Sequence, residues 1–583
     1  MVDDGNYRIA VINADNPAAQ PQIIPLGKTQ ITDLHWAGDN RLLLEVLSEA
    51  KIRGYEIPFT RLIVIDLATG TSRIADPDSI GLYAGDVLYV SPDGASAIVA
   101  SQNTPFEFPA VKRVDLATGK AQVIEHGKTD VWDWFVDNKG AVRGALAYDN
   151  KRWKIWYRSK SGDPFETVKG KFDKEDDAVD KFLIPSDGDQ GSIVTNERNG
   201  RFGVYHYNFK TGELGAPIFE HPEVDISDVI LEPGTSHVVG VRYEDSRWHT
   251  YWADPALKTL QEKLNKALPN TDNRILGDPD RDKRMLIWSG GAANPGSYFL
   301  FDQTKRTLSP VVTPYSKIPD DKLAEVKPIR YVARDGLTIQ GYLTTPKGKE
   351  VKSLPLILLP HGGPFSRDDW EYDPLVQFLA NRGYAVLQPQ FRGSTGYGKD
   401  LVSRGYGEWG RKMQDDLDDG VDWLAKTGQI DPKRVCIVGG SYGGYAALWG
   451  VIRNPERYRC AASIAGVTDL GAQLNSDRSI FSATRYFKDW RTQIQGDQKF
   501  DLKSVSPLYQ VQRLTRPVLL VHGEKDQRVS IKQARTMVAA MQSAHADVTF
   551  AYYKDGGHDF SSSQDFADFL TRLEAFLAKH NPS

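Results

Sequence analysis

Gly439-Gly440-Ser441-Tyr442-Gly443-Gly444 follows the apolar run Arg434-Val435-Cys436-Ile437-Val438 and precedes Tyr445-Ala446-Ala447-Leu448-Trp449. The run before it reads as a buried parallel strand, and the run after it as the opening of a helix. Strand, tight glycine-flanked turn with serine at its apex, then helix is the setting G-x-S-x-G needs to be a nucleophile elbow. Gly439 and Gly443 have no Cβ, so strand and helix can close in around a strained Ser441. The turn would lift the Ser441 hydroxyl off the sheet and aim helix N-terminal amides at an oxyanion forming beside it. The same letters also describe an ordinary glycine-rich turn with an incidental serine, so the flanking sequence has to discriminate.

Outward from the elbow, strands and helices alternate. Strands are expected at 354–359, 384–389, 435–438, 461–465, 518–521 and 548–553, and helices at 370–382, 409–426, 445–454, 531–543 and 564–579. A hairpin turning at Asp335-Gly336 precedes them. Such alternation means a mostly parallel sheet covered on both faces, an α/β-hydrolase arrangement. In that arrangement the catalytic order is Ser, acid, His. Downstream of Ser441, Asp526 lies just past the apolar run Val518-Leu519-Leu520-Val521, where an acid must project. His558 follows in the glycine-flanked loop Asp555-Gly556-Gly557-His558-Asp559. His558 would take the Ser441 proton and return it to the leaving group, and Asp526 would fix the histidine tautomer. The bland readings are a structural loop histidine and an aspartate that caps the following helix. Glu524 and Asp559 are rival acids with a poorer loop position, and His522 is expected to shape the turn. Three residues in the right order, each past its own strand, favour catalysis.

An oxyanion hole needs two donors. The Tyr442 amide is one candidate. The other should come from Pro360-His361-Gly362-Gly363-Pro364, after the apolar run Leu356-Ile357-Leu358-Leu359. The sequence leaves open whether the His361 side chain or a backbone amide such as that of Gly362 donates.

The first half is a repeat array. Leu62-Ile63-Val64-Ile65-Asp66-Leu67-Ala68-Thr69-Gly70 and Val111-Lys112-Arg113-Val114-Asp115-Leu116-Ala117-Thr118-Gly119 are its clearest copies, and weaker ones run to Phe299-Leu300-Phe301-Asp302. Turns recur roughly every 45–50 residues, the repeat of a four-stranded propeller blade. The count gives an all-β propeller of about seven blades, the first short of its leading strands, over residues 1–320; residues 321–583 form the α/β-hydrolase domain. Either the end of the half-chain supplies the missing strands or the true N-terminus, with any export leader, has been lost. The second is expected, which leaves localisation between cytoplasm and periplasm. The acidic run Lys174-Glu175-Asp176-Asp177 reads as a solvated loop, and Trp132, Trp134 and Trp153 as blade core. At 583 residues the chain is too long for one core. Its net charge of −4 carries no nucleic-acid footprint, and no apolar run is long enough to span a membrane. Cys436 and Cys460 both sit in apolar runs and are expected to be buried free thiols rather than a disulfide or a metal site. Neither a cofactor nor a metal is called for.

A propeller followed by this second half resembles the prolyl oligopeptidase family of serine peptidases. The likeness rests on Ala333-Arg334-Asp335-Gly336, His361-Gly362-Gly363-Pro364, Phe391-Arg392-Gly393-Ser394-Thr395-Gly396-Tyr397-Gly398, the elbow itself, His522-Gly523 with Asp526 and Val529, and Gly557-His558. The His-Gly-Gly-Pro loop resembles the acylaminoacyl-peptidase and bacterial dipeptidyl-peptidase branches. The resemblance implies that Arg528 anchors a substrate carbonyl or carboxylate. It implies that Phe481 and Tyr486, with Val529 nearby, build a hydrophobic pocket. The bland reading of Arg528 is a surface salt bridge, and that of Phe481 and Tyr486 is ordinary core. The resemblance also implies a propeller that keeps folded proteins out and short peptides as substrates; homo-oligomerisation stays open. No paired-glutamate segment is visible of the kind that holds a free amino terminus, which speaks against strict dipeptide release. The alternatives are an esterase or amidase acting on small acyl substrates, an isopeptidase of modified peptides, and a catalytically dead binding protein.

Overall fold

The strand–turn–strand repeat of the first half becomes seven consecutive antiparallel sheets among the described residues, five of four strands and two of three. The computed structural model describes residues 2–3, 6–16, 19–27, 29–52, 55–79, 84–104, 107–149, 152–169, 178–276, 284–481, 485–496, 500–560 and 562–583. The run Lys174–Asp177 lies outside them. The Asp-Leu-Ala-Thr-Gly repeats make matching turns. The Asp66 carboxylate accepts from the Thr69 amide at 3.0 Å, the Asp115 carboxylate from the Thr118 amide at 2.7 Å, and Gly70 and Gly119 take positive φ. Apolar side chains fill the space between neighbouring sheets: Leu62 and Val64 pack with Val99 and Val114, and Ile155 and Tyr157 with Ile193 and Tyr205. Arg284 of the last sheet reaches Asp15, beside the first sheet, at 2.6 Å, so the array closes into a propeller. Trp134 is blade core, its indole N–H donating to the Pro109 carbonyl.

The sixth sheet is three-stranded because a helix, Pro255–Ala267, follows its strand Trp248–Trp252. Sequence reading continued the strand series here and missed it. The signal was local: Asp254 caps the amides of Ala256 and Leu257 at 2.7 and 3.1 Å, and Pro255 has a φ ready for the first turn.

The second half is one eight-stranded sheet: β1 (Val326–Val332), β2 (Thr338–Thr344), β3 (Leu354–Leu358), β4 (Ala385–Gln390), β5 (Ile430–Gly440), β6 (Cys460–Ile464), β7 (Val518–Gly523) and β8 (Val548–Tyr553). The spatial order is β1-β2-β4-β3-β5-β6-β7-β8, with the β1–β2 and β2–β4 pairs antiparallel and the other pairs parallel. Alternate residues feed two cores. Leu356, Val435 and Ile437 face one, and Ile357, Val438 and Leu519 the other. Burying each such side chain is worth about 1.5–3 kcal/mol, which is why these strands read as unbroken apolar runs. Two helices begin later than expected. Asp373 caps Pro374–Asn381, leaving Trp370 to Tyr372 outside it, and Gly410 at φ +68 delays Lys412–Lys426. No helix among the described residues is long and apolar enough to cross a membrane.

The cysteines correct the expectation of free thiols. Cys436 on β5 and Cys460 on β6 are joined in a disulfide. The parallel register sets them opposite each other with Cα atoms 4.8 Å apart, a pairing that needs the strand order and was invisible in the sequence.

Candidate active site

Ser441 sits between β5 and the helix Tyr442–Arg453 with φ +57 and ψ −116. A non-glycine residue adopts this backbone at a cost of about 1–3 kcal/mol and keeps it only where its surroundings over-determine it. Here they do. The Ser441 amide donates to the Ile464 carbonyl at the end of β6 (2.8 Å), and its carbonyl accepts from the Tyr445 amide (3.0 Å). A Cβ on Gly439 would stand 2.5 Å from the Gly443 carbonyl carbon, and one on Gly443 would stand 2.1 Å from the Pro360 oxygen. Both glycines are therefore required by close backbone approach, and the elbow packs directly on the loop after β3. Gly443→Ala is expected to destabilise the protein by about 3 kcal/mol or more, because the obstacle is backbone that cannot swing aside. A thermal melt checks this, and a melting temperature equal to wild type would contradict the close approach.

Asp526 and His558 meet. The His558 Nδ1 lies 2.8 Å from Asp526 Oδ2, and the aspartate side chain is fully buried. Their loops are tied backbone to backbone, with the Glu524 amide donating to the Tyr553 carbonyl (2.8 Å) and the Lys525 amide to Gly556 (2.9 Å). Asp526 Oδ1 accepts from the amides of Arg528 and Val529, each at 2.8 Å. Burial alone would raise this carboxyl. The hydrogen bonds from His522 and His558 outweigh it and hold the pKa down at about 2. The cap reading fails, because Ser530 caps the next helix. Of the rival acids, Glu524 turns to Arg535 at 2.7 Å. His522 braces the turn, its Nε2 lying 2.7 Å from the Val529 carbonyl and 3.3 Å from Asp526. Ser441, Asp526 and His558 leave the carboxyl ends of β5, β7 and β8, on one edge of the sheet.

The structure bears on the two readings of the loop 360–364 that the sequence left open. Gly362 lies against Ser441, with space for a Cβ 3.6 Å from that of Ser441. The His361 ring is buried, stacks on Phe391 with centroids 4.3 Å apart, and burial pushes its pKa down to about 4. Its Nδ1 is 2.8 Å from the Gly362 carbonyl. Nε2 lies 2.9 Å from the Ser394 hydroxyl oxygen, whose own proton is donated to the Phe391 carbonyl at 2.6 Å. Both ring nitrogens are engaged by neighbouring groups, so the ring offers no free donor to a substrate oxygen, and backbone amides are the remaining candidates. The Tyr442 amide lies in the first turn of its helix, where no intrahelical acceptor exists. The Tyr442 ring is buried and packs on Phe391 and Trp409. Arg392, beside Phe391, is clamped between Asp335 (2.9 Å) and Asp416 (2.6 Å), so the Asp335-Gly336 hairpin supports the wall under His361.

Arg528 is exposed at the turn after Asp526, and Val529 is 2% exposed within the hydrolase core. Phe481 ends the helix Leu470–Phe481 and Tyr486 lies in Arg485–Gln495; their side chains lie outside the described residues. Two contributors had no assigned role in the sequence. Ser394 fixes the His361 ring, and its place in the Phe391–Gly398 motif was the available signal. Gln473 donates to the Arg528 carbonyl at 2.8 Å and so holds the acid turn; a lone glutamine in a helix gave no signal.

Residues 370–582 match the prolyl oligopeptidase family. Dipeptidyl aminopeptidase BIII of Pseudoxanthomonas mexicana is 29% identical over 605 aligned positions, covering 99% of this chain and 84% of its own. The acylamino-acid-releasing enzyme of Mus musculus is 27% identical over 42% of this chain and 34% of its own. A solved Mycobacterium tuberculosis puromycin-hydrolyzing peptidase superposes with a TM-score of 0.71 at 17% identity, covering 95% of this chain and 94% of that one, a likeness of fold. Residues 370–582 thus carry a prolyl oligopeptidase family domain, behind a propeller, and the chain is a hydrolase of the serine-peptidase type.

Proposed function

We propose that the protein cleaves short peptides by acyl transfer to Ser441, with residues 321–583 as the catalytic domain and the propeller, residues 1–320, restricting access. The observation that carries this is the buried Asp526–His558 hydrogen bond on the same sheet edge as a serine held at φ +57. In the first half-reaction His558 Nε2 takes the Ser441 proton as Oγ attacks the scissile carbonyl. The tetrahedral oxyanion is met by the amides of Tyr442 and Gly362, and His558 returns the proton to the leaving amine. Water repeats the sequence and releases the acid. Asp526 stays ionised throughout and holds the proton of neutral His558 on Nδ1. Arg528, exposed beside the acid, is the proposed anchor for a substrate carbonyl or carboxylate. Phe481, Tyr486 and Val529 are the proposed pocket for the side chain preceding the cleaved bond.

The matched relatives are named for removing dipeptides and acylated residues from the amino ends of chains. The dipeptidyl aminopeptidase matches across both halves of this chain, so an amino-terminal dipeptide anilide is the first substrate to test. It should be run beside an N-acetyl-amino-acid anilide and a plain acyl ester, with fluorophosphonate labelling located by peptide mapping. Labelling at Ser441 with turnover of an anilide is the expected result. Turnover of the ester alone would replace the peptidase reading with an esterase.

A further inference from the structure

Glu244 ends the middle strand, Val238–Glu244, of the propeller's sixth sheet and is 1% exposed. A carboxylate this deep needs strong partners, and those it has among the described residues belong to the hydrolase domain. Its Oε1 accepts from the Tyr342 hydroxyl on β2 at 2.7 Å and from the Trp370 amide at 2.6 Å. Its Oε2 lies 2.8 Å from an Arg367 guanidinium nitrogen, an ion pair without hydrogen-bond alignment. Trp370 and Arg367 close the segment that starts at His361 and Gly362. Arg367 is itself confined, stacked over Tyr397 at 4.7 Å and 3.0 Å from Asp369. Trp370 packs on Ala292, Val326 and Tyr342 in a small core shared by the two halves of the chain. At its other end this loop is held by the elbow through Pro360, so one end is set by the hydrolase sheet and the other by a propeller residue.

We infer that Glu244 is a positioning residue for the oxyanion loop: by gripping Arg367 and the Trp370 amide it keeps Gly362 registered against Ser441, so the propeller completes the oxyanion hole. The inference rests on the reading of Ser441 as nucleophile. A misplacement near 1 Å at a reacting centre costs about 10²-fold, and loss of an oxyanion donor about 10²–10³-fold. A loosened loop should therefore cost between about 10-fold and 10²-fold in kcat.

The test uses the full chain with Glu244→Ala and the isosteric Glu244→Gln. For each, kcat and KM are measured on the preferred substrate, kcat is normalised to the fraction of Ser441 that a fluorophosphonate can titrate, and affinity is measured for a peptide aldehyde, whose hemiacetal places an oxyanion in the hole. The expected result for Glu244→Ala is a fall of about 10-fold or more in kcat per titrated site, with KM within about threefold of wild type and aldehyde affinity falling by the same factor as kcat/KM. Glu244→Gln, which keeps an acceptor for the Trp370 amide, should fall between the two. A residue that only glues the halves together would lower the melting temperature and the titratable fraction and leave kcat per site unchanged. That result overturns the inference, and if Glu244→Ala does not fold, Glu244→Gln at wild-type kcat overturns it equally. Failure of the wild-type protein to label at Ser441 would instead overturn the proposed nucleophile.

Discussion

Ser441→Ala is expected to lower kcat by about 10⁵–10⁶-fold and leave the thermal melt at the wild-type position. The size follows from what is removed and what stays. The hydroxyl is the only group at the elbow that can form the acyl bond, so its loss abolishes covalent catalysis and strands His558 as a base with nothing to deprotonate except water. The Tyr442 and Gly362 amides remain, and hole and binding alone sustain a residual rate of about 10³–10⁴ over water. Stability should hold because alanine and serine pay the same penalty at φ +57, and the bonds that impose that backbone run through the Ser441 amide and carbonyl. His558→Ala should cost nearly as much, and the double variant no more than either single one, since the residues act as a unit. Activity near wild type in Ser441→Ala, assayed with protein free of host hydrolases, would mean another nucleophile.

The hydrolase half was legible because most of its devices are local. Gly439 is needed for its contact with Gly443 four residues on, Asp526 and His558 sit just past their own strands, and fully buried parallel strands read as apolar runs. The propeller announced itself through a turn whose aspartate and glycine do the same job in each copy, Asp66 and Gly70 or Asp115 and Gly119. What escaped depended on pairs distant in sequence. The Cys436–Cys460 disulfide exists because β5 and β6 are neighbours in one register. His361 loses its donor because Ser394 and the Gly362 carbonyl claim both nitrogens. Glu244 matters because the propeller docks where Arg367 and Trp370 are. Asp254-Pro255 was local and still missed, because the strand series around it set a false expectation.

Asp526→Asn is expected to lower kcat by about 10⁴-fold with the fold retained, and the reason lies in which way the new amide must point. Oδ1 accepts from two backbone amides, Arg528 and Val529, so the side-chain oxygen of the variant has to stay there. Its NH₂ group then takes the Oδ2 position, 2.8 Å from His558 Nδ1. A donor facing Nδ1 forces that nitrogen to accept, and the ring proton moves to Nε2, the atom that must be free to receive the Ser441 proton. The substitution keeps shape and reverses the tautomer, so the loss should fall on kcat with little change in KM. Acid stability gives an independent check. The folded carboxyl, at about 2, lies below its ordinary value of 3.8, so its ionisation stabilises the fold above the unfolded pKa, and that stability disappears as pH falls from about 5 towards 2. The shift corresponds to about 2 kcal/mol that the wild type loses over this window and the variant does not. Urea melts from pH 5 down to 2.5 should therefore show a flatter acid limb for Asp526→Asn. Parallel limbs, or a kcat within tenfold of wild type, would show that His558 takes its orientation from somewhere other than Asp526.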